Sequence, residues 1–133
     1  MAKDPLSAYK QNSVINAKQE ELTLMLYDGA LKFMYIADER LKDEKRDIQK
    51  IYDAFIRAQD IIDELNATLN MDYDNSKDFR RLYEFIGDKL AEANILKDRK
   101  PLEDAIKITS QMRELWKDMM RAAKEQAKAR GDV

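Results

Sequence analysis

The chain has 133 residues, with 24 Lys and Arg against 26 Asp and Glu and a formal net charge of −2. It has no Cys and no His, which removes disulfides, thiolate metal sites, thiol nucleophiles, the commonest general base and the commonest metal ligand. Three Gly and two Pro are too few for a turn-rich β fold. The balanced charge lacks the basic excess of a nucleic-acid binder, and the local cluster Lys124, Lys128 and Arg130 suits the C-terminal end of a helix.

The first ten residues hold no apolar signal region, and no stretch approaches the ~18 apolar residues of a membrane span. A cytosolic protein with no membrane insertion is expected. Residues 1–17 are polar, with Pro5 and isolated Leu6, Tyr9, Val14 and Ile15. They predict an N-terminal arm or short extra helix, with Tyr9 and Val14 as its anchors.

The first long helix is predicted over Glu20–Leu41. Asn16 and Gln19 form a weak capping box before it, and the charged run Lys42–Arg46 ends it. Its apolar face is wider than the single stripe an outer bundle helix needs. One stripe runs Leu22, Met25, Leu26, Gly29, Phe33, Ile36, Ala37. A second runs Leu24, Tyr27, Leu31, Met34. The second helix is predicted over Asp47–Leu69, on Ile48, Ile51, Tyr52, Phe55, Ala58, Ile62, Leu65 and Leu69, with Asn70 as a left-handed terminator. The third spans about Ser76–Ile95, capped by Asn75 or Ser76. The fourth spans Pro101–Ala129, with Pro101 at its first position and Gly131 ending it. Short loops between long helices predict a single all-α domain, an antiparallel up-down-up-down four-helix bundle over residues 18–130 with a tail at 131–133.

Bundles of this kind can house di-metal carboxylate sites, but those use Glu-x-x-His pairs, and this chain has no His. No glycine-rich phosphate loop is present, since Gly29 stands alone within a helix. No cofactor, metal or catalytic residue is expected, and the chain does not read as an enzyme. Gly29 points to close approach of a neighbouring helix. The seven Met residues read first as core filling, and second as a surface that repacks around a guest. The excess apolar face therefore has two readings. It is the groove of a helix-binding protein, or it is buried in the homodimer of a structural bundle or adaptor with no exported client.

Several strings resemble the flagellin export chaperones, the FliS family. They are Asn12-Ser13-Val14, the run Glu21-Leu22-Thr23-Leu24-Met25-Leu26-Tyr27-Asp28-Gly29-Ala30-Leu31-Lys32-Phe33, then Ala58–Leu65, Thr68-Leu69-Asn70, Glu92-Ala93-Asn94 and Trp116. The likeness covers about Ala8–Lys117. One departure is Gln19, where the family usually carries a Pro. The resemblance implies a helical-bundle chaperone in the bacterial cytosol. Its client would be the C-terminal segment of flagellin, kept from premature polymerisation and brought to the flagellar type III export gate. It also implies an N-terminal arm that covers the client site when empty. A homodimer of the empty chain is a separate expectation, from the apolar face that needs a cover. On that footing the expected client-binding groove is Leu24, Tyr27, Leu31, Ile61, Leu65, Ile108 and Leu115. The expected self-capping arm is Tyr9, Asn12, Val14 and Ile15.

Overall fold

The computed structural model describes residues 16–72 and 74–131, with side chains from Gln19 onward. The arm residues Tyr9, Asn12, Val14 and Ile15 lie outside the described residues. Four helices follow in order: α1 (Asn16–Lys42), α2 (Ile48–Ala67), α3 (Ser76–Leu96) and α4 (Arg99–Ala129).

Each start and stop has a local cause. Asp47 is extended and its carboxylate accepts from Lys50 N at 3.2 Å, so α2 begins there. Asp98 does the same for α4, accepting from Lys100 N at 3.0 Å. Helix α4 therefore starts two residues before the predicted Pro101. Pro101 still falls in the first turn, where an N–H has no intrahelical partner to lose. Asn75 occupies the cap of α3 but forms no side-chain cap bond. The neighbouring Ser76 Oγ instead donates to Asn70 O and closes the loop. Among the described residues the left-handed non-glycine position is Lys97, with φ 52°, and not the predicted Asn70. Lys97 turns the chain so that two residues suffice between α3 and α4. Gly131, at φ 75°, terminates α4 as predicted.

The helices form a ring in which each packs on its two neighbours, α1 on α2 and α4, α3 on α2 and α4. Cross-helix pairs fix the directions. Arg40 meets Lys50 and Gly29 meets Ile61 across α1·α2; Asp38 meets Arg99 and Asp28 meets Arg113 across α1·α4; Lys89 meets Asp104 across α3·α4. Across α1·α2 and α1·α4 one number falls as the other rises, so those neighbours are antiparallel, and the two-residue turn between α3 and α4 reverses the chain there as well. Asp104 faces Lys89 at 3.8 Å.

The core is one cluster including Tyr27, Met34, Ile51, Phe55, Ile62, Leu65, Ile86, Leu90 and Leu102. It resolves the double stripe of α1. Tyr27, Leu31 and Met34 of the second stripe point into the core, with Leu24 half-buried at its edge. Of the first stripe, Leu22 and Ala37 are buried, Leu26, Phe33 and Ile36 are half-buried against the core, and Met25 is 60% exposed.

Candidate functional site

At one pole the bundle does not close. The first turns of α1, the last of α2, the first of α3 and the later part of α4 surround a cavity of about 640 Å³. That is within the size range of ligand pockets. Its apolar wall includes Leu22 and Leu26 of α1, Leu69 just past the end of α2, Phe79 of α3, and Trp116 and Met119 of α4. Glu20, Thr23, Glu64, Thr68 and Asn70 add a polar rim.

The helix lengths explain the opening. Helix α4 has 31 residues and α3 has 21. The apolar stripe of α4 continues past Trp116 through Met119, Met120 and Ala123, beyond the level at which α3 begins. Side chains made for a core are thus left without a facing helix. Met119 is 39% exposed. A thioether on an unbranched chain suits a wall that must adapt to different shapes.

Two polar contacts hold the rim. Trp116 Nε1 donates to Glu20 O at 2.8 Å, so the indole ties the first turns of α1 to α4. Behind it the Tyr27 ring lies 6.5 Å from the Trp116 ring, centroid to centroid. The Tyr27 and Tyr83 hydroxyls meet at 2.5 Å across the diagonal of the ring. Burial pushes both phenols above the ordinary tyrosine range, so the pair is neutral. Two hydroxyls bonded to each other let a polar pair sit beneath an apolar cavity.

The seven residues expected in a groove fall on different faces. Leu65 is 2% exposed and lines the cavity floor. Tyr27 is 0% exposed, behind the wall. Leu24 and Leu31 lie on the side of α1 that carries Asp28, which bonds Arg113 of α4. Ile61 faces Gly29 on the α1·α2 side. Ile108 is one turn beyond Asp104, on the α3·α4 side, and Leu115 shares that side at 47% exposure. Leu22, Leu26, Phe79, Met119 and Met120 were not among the expected residues. Their signal was present, because the stripe of α4 outruns the predicted start of α3.

No helix among the described residues is long and apolar enough to cross a membrane. The four-helix bundle thus leaves an apolar wall at one end that its own helices do not cover. Comparison with known proteins gives the family. The family model described as "Flagellar protein FliS" matches residues 1–123. The chain is 34% identical over 130 residues to the flagellar secretion chaperone FliS of Bacillus subtilis (strain 168), covering 98% of this chain and 96% of that protein. The chain belongs to the FliS family.

Proposed function

We propose that this protein is a flagellar secretion chaperone of the cytosol. It binds the C-terminal segment of flagellin, holds it unpolymerised and brings it to the type III export gate. The observation that carries this reading is the cavity of about 640 Å³ at the open pole. Family membership supplies the class of client.

The apolar face of an amphipathic flagellin segment enters beside Trp116, Met119 and Met120, over the floor of Leu65 and Phe79. The half-buried Leu24 and Ile108 and the exposed Leu115 extend the client's path outside the cavity. Burial of apolar area drives binding, and the cost of ordering a disordered segment opposes it. A client whose assembly surface is covered cannot polymerise. The step needs no nucleotide and no bond making. Tyr9, Asn12, Val14 and Ile15, outside the described residues, are the arm that would cover the site when no client is bound.

Calorimetry with a synthetic peptide of the flagellin C-terminal segment tests the reading. Binding in the micromolar range is expected, weakened at least about tenfold by Met119→Asp, which puts a charge in the apolar wall. Removal of residues 1–15 should leave the bundle folded and the affinity equal or higher. No binding at tens of micromolar (a free energy of about −6 kcal/mol) refutes the client assignment.

A further inference from the structure

A second surface lies on the α1·α2 side, away from the cavity. Phe33, Ile36 and Ala54 form the floor of a cleft of about 370 Å³. Arg40, Lys50 and Arg57 line it, and Asp53 is the one acid in the lining. Asp53 accepts from Gln49 Nε2 at 2.9 Å. Arg40 Nη1 donates to the Lys50 carbonyl at 2.9 Å, which holds one guanidinium over the seam. The Arg57 guanidinium and the Lys32 ammonium both lie over the Phe33 ring, 5.4 and 5.7 Å from its centroid.

This seam lacks the cross-helix ion pairs that close two of the others, and across α2·α3 Arg80 likewise donates to an uncharged group, Asn66 Oδ1. Across α1·α4, Arg99 and Arg113 close on Asp38 and Asp28, and across α3·α4 Lys89 faces Asp104. Across α1·α2 the bridging cation meets a carbonyl, and Lys50 and Arg57 form no ion pair among the described residues. Cations gathered around an apolar floor repel one another, and acids brought in from outside relieve that repulsion. From Gly29 to Arg40 the seam is about 16 Å long, roughly three turns of helix. A groove between two antiparallel helices accepts a third helix.

We infer that the α1·α2 seam is a docking surface for an acidic amphipathic helix of a second protein, distinct from the client cavity. Apolar side chains of that helix at i, i+4 and i+7 would cover Phe33, Ile36 and Ala54. Flanking carboxylates would meet Arg40, Lys50 and Arg57. The two sites share no lining residue, so both can be filled at once. The inference rests on the seam alone and does not depend on flagellin entering the cavity.

The test uses two stapled three-turn helices with leucines at i, i+4 and i+7. One carries flanking glutamates and the other flanking lysines. Fluorescence anisotropy is read on the full chain. The glutamate helix should bind at least about tenfold tighter than the lysine helix, and its advantage should shrink as salt rises. Arg57→Glu and Lys50→Glu, at exposed positions that leave the fold intact, should each remove most of that advantage. Met119→Asp should leave it unchanged. Equal binding of the two helices, no binding of either, or undiminished binding of the glutamate helix to both charge-reversed variants overturns the proposal. So does loss of binding in Met119→Asp alone, which would put the helix in the cavity.

Discussion

The two poles of the bundle use the same kind of helix and end differently. At the closed pole, α1 and α2 are joined by five residues and α3 and α4 by two. Asp38 is buried there and accepts from Arg99 Nε at 2.7 Å, with Lys42 Nζ at 3.2 Å from the same carboxylate. Leu41, Ile51, Leu90, Ala93 and Leu102 fill the space beneath. At the open pole the α2–α3 connection is longer, α4 runs on past its neighbours, and one indole–carbonyl bond ties α1 to α4. An apolar stripe becomes core only where a facing helix exists to cover it. The same stripe becomes a binding wall where the helix ends fall out of step.

The largest expected effect breaks this comparison from the closed side. Phe55 is fully buried in the half of α2 nearest that pole. Phe55→Ala should cost about 3–5 kcal/mol in urea unfolding, the transfer of the ring plus the cavity it leaves. Met119→Ala, at the open wall, should cost under about 1 kcal/mol. It should still weaken the flagellin peptide, so stability and affinity separate by pole. If Met119→Ala destabilises as much as Phe55→Ala, the open wall is ordinary core.

Next comes the hydroxyl pair that bridges the ring. Tyr83→Phe leaves the buried Tyr27 hydroxyl without its partner, at a cost of about 1–3 kcal/mol. Removing both hydroxyls should cost less than the sum of the two single changes, and a double-mutant cycle measures the difference. Alkali adds a second check. Burial raises both phenols in the folded chain, so the stability they contribute is whole below the unfolded tyrosine value of about 10 and falls as pH rises above it. Replacing both with Phe should flatten the alkaline decline.

Acid tests the closed pole in the opposite direction. Burial pushes the Asp38 carboxyl up, but hydrogen bonds from Arg99 and Lys42 outweigh it and hold the group below its ordinary value. Its contribution is therefore whole above the unfolded carboxylate range and is lost as pH falls through the folded value. Urea midpoints measured from pH 7 down to pH 3 should fall more for the natural chain than for Asp38→Asn. An identical acid profile would mean that Asp38 is not the anchor of this pole.

How much of this was legible in the sequence differs between fold and site. The helices were readable because each carries a 3.6-residue apolar period and a charged or Gly-containing break, as at Lys42–Arg46 and Gly131. Their exact caps were less so: Asp98 outcompeted Pro101 for the start of α4 because a side-chain carboxylate can reach Lys100 N, which a residue count does not reveal. The two stripes of α1 were visible, but their assignment was not, since periodicity gives angles around one axis and not the position of the neighbours. The cavity was the least legible feature. It arises from the relative lengths of α3 and α4 once they are side by side, and so from register. The expected groove residue Ile61 sits on a different side from Ile108 and Leu115 for the same reason.

The smallest effects come from two helical glycines and sharpen the contrast between a packed seam and an open one. Neither Gly29 nor Gly87 has positive φ, so both backbones accept a side chain. A Cβ on Gly87 would meet nothing within 4 Å. Gly87→Ala should therefore raise stability by up to about 1 kcal/mol, the helix-propensity difference alone. A Cβ on Gly29 would lie 3.3 Å from Ile61 Cδ1, the tip of a half-buried side chain on α2. That tip must move a few tenths of an ångström to make room. Ile61 can turn toward the seam, so Gly29→Ala should still stabilise, but by less than Gly87→Ala. Thermal unfolding of the two variants side by side reads the difference. A Gly29→Ala chain less stable than the natural one would mean that α1 and α2 are in closer contact at Ile61 than a free side-chain end allows. The apolar seam beyond it, toward Phe33 and Ile36, would then be too rigid to admit a third helix.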